Sequence, residues 1–161
     1  MTAAKILSES ELQRQVDALR QQGKVVVFTN GCFDLLHAGH VAYLERARAL
    51  GDALVVAVNS DRSVRALKGP TRPITRARDR SRLLAALACV DWVIVFDDDT
   101  AERLLSKQQP DIYVKGGDYT RSEPVEAATV REYGGSVRIL PFTAGYSTTD
   151  LLQRIIANEE A

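Results

Sequence analysis

The run ALVVAVN at positions 53–59 is apolar at almost every position. A strand with one face in water alternates polar and apolar residues, so this one is expected to be covered on both faces, as inner strands of parallel sheets are. Shorter β-like runs recur at 25–29, 92–96, 112–115 and 137–140. Helical patterns lie between or after them, at 40–50 with Gly51 as the stop, then 75–89, 100–107, 123–133 and 148–156. This alternation predicts an α/β fold, a doubly wound parallel sheet of five strands with helices on both faces and right-handed crossovers.

Ahead of the first strand, Ser8 and Glu11 have capping-box spacing, and Leu12, Val16 and Leu19 carry a helical stripe towards Gly23. Residues 1–23 are read as an N-terminal helical extension and 24–161 as a single Rossmann-like domain; 161 residues suffice to bury a core. Lys+Arg and Asp+Glu balance at 21 each, so no overall field invites nucleic acid or an anionic membrane, and any anion site has to be local. No stretch approaches the ~20 apolar residues of a membrane span. Glu9 and Glu11 stand where a signal peptide would be apolar, and Cys32 and Cys89 form no spaced framework, which points to a cytoplasmic protein.

In doubly wound sheets ligands sit beyond the carboxyl ends of the strands, near the switch in strand order. The residues expected there are Thr29, Asn30, Gly31, Phe33, Asp34, His37, Gly39 and His40 after the first strand, and Asn59, Ser60 and Asp61 after the second. Lys115, Gly116, Gly117, Asp118 and Tyr119 follow the fourth strand, and Gly145, Tyr146, Ser147, Thr148, Thr149 and Asp150 the fifth.

The stretch TNGCFDLLHAGH, 29–40, holds both histidines of the chain. Three residues apart on a helical turn, His37 and His40 share a face, and Gly39 between them allows close approach to the backbone. Three readings compete: a buried structural pair, a metal site with Cys32, or a grip on phosphate at a helix start. The metal reading supplies at most three ligands and has no companion cluster. Ser147 followed by Asp150 is a well-formed helix start, and equally a second cradle of hydroxyls and N–H groups for phosphate. The segment 65–82 is rich in arginine; most of Arg72, Arg76, Arg78, Arg80 and Arg82 is expected on a solvated face, with one or two folding over a ligand. Lys68, beside Gly69 and Pro70, could bring a cation to phosphate. The chain has no GxxxxGK[ST] and no strand–turn nucleophile.

GCFDLLHAGH, followed about a hundred residues later by GYSTTD, resembles the HxGH nucleotidylyltransferase superfamily in its cytidylyltransferase-like branch, over nearly the whole chain. More narrowly, VAVNSD, LKGPTRP, VDWVIVF, DIYVKGGDY and STTDLL are similar to the adenylyltransferase half of ADP-heptose synthase. That resemblance implies transfer of an adenylyl group from ATP to heptose 1-phosphate, giving ADP-heptose and pyrophosphate for the lipopolysaccharide inner core. It also implies Mg²⁺ carried chiefly by the triphosphate, a homo-oligomer, dimers being common in the superfamily, and a stand-alone form whose sugar kinase is a separate protein. His37, His40 and Lys68 would serve catalysis. Thr29, Asn30, Gly31, Phe33, Gly39, Lys115, Gly117, Asp118, Tyr146, Ser147, Thr148 and Thr149 would hold the nucleotide, and Asp34, Asn59, Asp61 and Arg72 the sugar phosphate; no protein metal site is expected. Glycerol-phosphate cytidylyltransferases have an Arg where this chain has Phe142 and an Ile where it has Tyr146. That departure counts against glycerol or choline phosphate and makes Lys115 the candidate replacement cation.

Overall fold

Ser8 opens the first helix as its spacing predicts. Its backbone N–H donates to Glu11 Oε2 at 2.8 Å and its hydroxyl accepts from Glu11 N–H. In the computed structural model, which describes residues 1–117 and 123–159, this helix is α1 (Glu9–Gln21). Leu12 and Val16 on its stripe are fully buried in the domain core, and Ile6 bridges to Val93, so residues 1–23 pack on the body of the domain.

The strands are β1 (Val26–Gly31), β2 (Ala53–Asn59), β3 (Trp92–Phe96), β4 (Ile112–Gly116) and β5 (Ser136–Leu140). They form one sheet in the order β3-β2-β1-β4-β5, every pair parallel, with the order reversing at β1. All seven residues of β2 are buried, as expected for an inner strand covered on both faces. At the amino end, Asp52, Asp91 and Asp111 each accept an N–H from the start of a neighbouring strand at 2.8 Å, fixing the register away from the site.

Two cores flank the sheet. One joins Phe28, Val55 and Tyr113 to α1, α5 (Glu102–Gln108) and α6 (Ala127–Glu132). The other joins Val27, Val56 and Val114 to α2 (Ala38–Arg48) and α4 (Ala77–Ala86). The closing helix, α7 (Thr148–Glu159), buries no residue.

The five-stranded doubly wound sheet is as the pattern predicts, but α3 (Asp61–Lys68) falls where a strand end and a polar segment were expected. Ser60 caps it, accepting from Ser63 N–H at 3.1 Å, yet only Ser63 and Val64 are buried. An eight-residue helix with one buried apolar side chain gives almost no periodic signal. Among the described residues no helix is long and apolar enough to cross a membrane.

Candidate active site

Beyond Gly31 the chain turns sharply at Phe33, whose φ of +47° lies in the left-handed region. A bulky residue there costs of order 1–3 kcal/mol and persists only where its surroundings hold it. The Phe33 ring packs over Gly31 and meets His40 with centroids 5.4 Å apart. The turn sends Asp34 inward and delivers His37 to the N-cap of α2, where its Nδ1 accepts from His40 N–H at 3.3 Å. A lone pair on Nδ1 leaves the neutral ring with its proton on Nε2, a donor.

The two imidazoles stack, centroids 3.8 Å apart and planes 18° apart. Burial lowers the pKa of His37; burial, with the neighbouring His37, lowers that of His40 to about 4. Both rings are therefore neutral at pH 7. His40 Nδ1 is buried with no hydrogen-bond partner among the described residues.

Gly39 explains how a second turn reaches this pair. A Cβ there would stand 2.6 Å from Tyr146 Cβ and 3.0 Å from His37 Nδ1. With no side chain in the way, the Tyr146 ring lies nearly parallel to His37 at 6.1 Å. Ser147 Oγ then caps α7, accepting from Asp150 N–H at 3.1 Å, and the Thr148 hydroxyl donates to Leu35 carbonyl at 3.5 Å. The HAGH and GYSTTD turns, over a hundred residues apart in sequence, thus bring two helix N-termini together, each with first-turn N–H groups that have no partner within the helix.

The remaining predicted residues divide. Thr29 is fully buried, its hydroxyl 2.7 Å from that of Tyr43, which donates to Val114 carbonyl; it ties α2 to β1 and β4. Asn30 turns to the other face, taking Tyr113 OH at 2.7 Å and Lys115 Nζ at 3.4 Å. Gly117 N–H donates to Leu140 carbonyl. Asp118 lies outside the described residues. Lys68 ends α3, near enough for its charge to oppose the rise that burial gives the Cys32 thiol.

The four residues expected to hold the sugar phosphate all have partners within the fold. Asp34, 3% exposed, accepts from the N–H groups of Ile74 at 2.8 Å and Thr75 at 2.9 Å and from Arg72 Nε, which docks the 72–75 loop. Burial pushes the Asp34 carboxyl up, but these donors outweigh it and the net shift is down. Asn59 donates to Ser63 Oγ at 2.8 Å. Asp61 accepts from Ala77 N–H and Arg80, both at 2.8 Å.

Arg80 was expected in the solvated cluster, yet its side chain is fully buried. Its guanidinium bonds the carbonyls of Thr75, Cys32 and Asn59, at 2.7, 2.6 and 2.8 Å, besides the Asp61 carboxylate. It therefore braces the ends of β1 and β2, α3 and the basic loop against each other. Its place four residues before buried Leu84, on one helical stripe, was the available signal. Glu126, buried beside Lys115, carried no such signal. Among the described residues no three His, Cys, Asp or Glu side chains group as a metal site.

With both turns in place, the comparison with known families is direct: the model of the family described as cytidylyltransferase-like matches residues 28–154. The chain belongs to the cytidylyltransferase-like family. Within it, this chain is 50% identical over 157 residues to a protein of Syntrophotalea carbinolica named bifunctional protein HldE, covering 98% of this chain and 32% of that one. A protein of the same name from Hydrogenovibrio crunogenus is 53% identical over 149 residues, 92% of this chain and 31% of that one. The chain thus spans about a third of the length of the curated relatives it matches. Among solved structures, the lipopolysaccharide core biosynthesis protein of Thermoplasma volcanium aligns with a TM-score of 0.62 and 31% identity, over 75% of this chain and 98% of that one. A pantoate-beta-alanine ligase of Francisella tularensis shares the fold, at TM-score 0.58 and 14% identity, over 96% of this chain and 76% of that one.

Proposed function

We propose that this chain is an adenylyltransferase that joins heptose 1-phosphate and ATP, giving ADP-heptose and pyrophosphate in the cytoplasm. The observation that carries the reading is the meeting of the stacked His37–His40 pair with the Tyr146–Ser147 turn across Gly39. Relatives named bifunctional protein HldE and a lipopolysaccharide core biosynthesis protein support the choice of sugar.

An oxygen of the sugar phosphate attacks the α-phosphorus of ATP, the bond from that phosphorus to the bridging oxygen breaks, and pyrophosphate leaves with the electron pair. The attacking monoester is already ionised, so no protein nucleophile is needed; positioning and charge stabilisation do the catalysis. His37 and His40 donate to the α-phosphate and the bridging oxygen as charge grows there. Ser147, Thr148, Thr149 and the α7 N-terminus hold the β- and γ-phosphates, with Lys68 adding a cation. Mg²⁺ would be carried by the triphosphate rather than by protein side chains, and would supply neutralisation of part of the phosphate charge. The occupied carboxylates of Asp34 and Asp61 are consistent with a metal bound through substrate.

A second reading has the family description in its favour: cytidylyl transfer to another sugar or polyol phosphate. A pyrophosphate-release screen of heptose, hexose and polyol phosphates against ATP and CTP separates the two. Heptose 1-phosphate with ATP is expected to give the highest kcat/KM; faster turnover with CTP, or none with any sugar phosphate, overturns the proposal.

A further inference from the structure

The phosphate-gripping turns occupy one face of the sheet edge, and a separate polar cluster occupies the other. Thr29 faces α2, whereas Asn30, the next residue, faces Tyr113, Lys115 and α6. Lys115 Nζ lies 3.4 Å from both Asn30 Oδ1 and Glu126 Oε1, and the Glu126 side chain is 5% exposed. Charge-assisted bonds are ordinarily about 2.7–2.9 Å, so this buried carboxylate is loosely matched by its ammonium. A carboxylate offers about four lone-pair positions, an ammonium three donors and an amide two more. Acceptor, cation and amide side by side suit neighbouring hydroxyls, each of which gives one hydrogen bond and takes another. A phosphate would be repelled by Glu126.

The geometry of transfer says which hydroxyls. Attacking and leaving oxygens lie roughly in line through the transferred phosphorus. With pyrophosphate leaving at the α2 and α7 N-termini, the acceptor approaches from the far side, across an edge formed by Gly31 and Gly116, the last residues of β1 and β4. We propose that Asn30, Lys115 and Glu126 form the subsite that holds the hydroxyls of the acceptor sugar. This rests on the sugar-phosphate reading above, and it moves Lys115 from the nucleotide phosphates to the acceptor.

The test compares the full chain with Glu126→Gln and Lys115→Met by steady-state pyrophosphate release, with circular dichroism to establish folding. Losing hydrogen bonds to a charged group is expected to raise KM for the sugar phosphate roughly ten- to a hundredfold, with KM for ATP changed by less than about twofold. Acceptor analogues lacking one ring hydroxyl should react more slowly with the unaltered chain and lose that penalty in Glu126→Gln, while 2′-deoxy-ATP serves both equally. If Glu126→Gln instead raises KM for ATP and stops discriminating against 2′-deoxy-ATP, the cluster reads ribose and the proposal fails. If both KM values stand and only the melting temperature falls, it is a structural brace and the proposal fails again. Should no sugar phosphate turn over, the proposed reaction is what has failed. Calorimetric titration of sugar phosphates then decides the subsite: binding lost in Glu126→Gln supports it, and equal or absent binding overturns it.

Discussion

The two turns that meet at His37 carry similar chemistry but are anchored differently. The HAGH turn is embedded: α2 buries Gly39, Tyr43, Leu44 and Ala47, and the Thr29–Tyr43–Val114 chain ties it to two inner strands. The GYSTTD turn rests on the surface. α7 buries nothing, the edge strand β5 has no buried residue, and Phe142, Tyr146, Ile155 and Ile156 are exposed. The first turn takes its geometry from the fold; the second takes much of its geometry from the first, through Tyr146 on His37 and Thr148 on the Leu35 carbonyl. Damage to the embedded half should therefore cost stability or catalytic rate, and damage to the surface half should appear mainly as weaker nucleotide binding.

The largest expected effect lies in the embedded half. Arg80→Met leaves the Asp61 carboxylate and three backbone carbonyls without their guanidinium, which is expected to cost about 3–5 kcal/mol in a urea unfolding experiment. Arg80→Lys should recover only part of this, because an ammonium lacks the planar fork that reaches all four acceptors. A loss comparable to that of an exposed arginine would mean the embedded half is held some other way.

Next comes catalysis. His40→Ala, and separately His37→Ala, should lower kcat by about 10²-fold or more, equivalent to about 2.7 kcal/mol of transition-state stabilisation. Unfolding of His40→Ala should stay cooperative, since the lost ring includes a buried nitrogen with no partner among the described residues. Undiminished turnover in either variant removes that histidine from the mechanism.

Gly39→Ala acts on the joint between the halves. The new Cβ would meet Tyr146 Cβ at 2.6 Å, and the surface turn, having little else to hold it, is the part expected to yield. Alanine gains about 1 kcal/mol of helix propensity over glycine, so stability should hold while KM for ATP rises, by roughly tenfold if one charge-assisted contact is lost. Removing the opposing Cβ with Tyr146→Gly should restore part of that loss. Failure of the double variant to recover anything would show that Gly39 matters for a reason other than this approach.

The same contrast explains how much was legible in the sequence. The sheet was, because the buried run 53–59 and the capped stripe of α1 answer to periodicity. The convergence of the two turns was, because both follow strands at the carboxyl edge. The partners that the polar residues there take within the fold were not. Asp34, Asp61 and Asn59 sit at strand ends, as ligand residues do, yet their partners are N–H groups, a guanidinium and a hydroxyl brought in by folding. Arg80 among five neighbouring arginines and Glu126 ahead of a six-residue helix are separated from their exposed counterparts by burial, which composition does not encode.

The smallest expected effect is a proton. In the free protein His40 titrates near pH 4, below its ordinary value, because burial disfavours the charged ring. Its contribution to fold stability is therefore present above about pH 6.5 and lost as pH falls towards 4. A bound triphosphate acts in the opposite sense: its negative charge favours imidazolium and raises the pKa of either ring it touches. Near pH 6, binding should take up a fraction of a proton, seen as a dependence of calorimetric binding heat on the ionisation enthalpy of the buffer, and affinity should rise as pH falls. Below about pH 4 His40 is already charged in the free protein and its share of the uptake disappears. Of the two turns only the embedded one can take up this proton, since the hydroxyls of Ser147, Thr148 and Thr149 do not titrate in this range. Ser147→Ala should thus weaken binding and leave the uptake unchanged, whereas His40→Ala should reduce the uptake. Equal uptake in all three proteins would mean that the triphosphate does not touch the histidine pair.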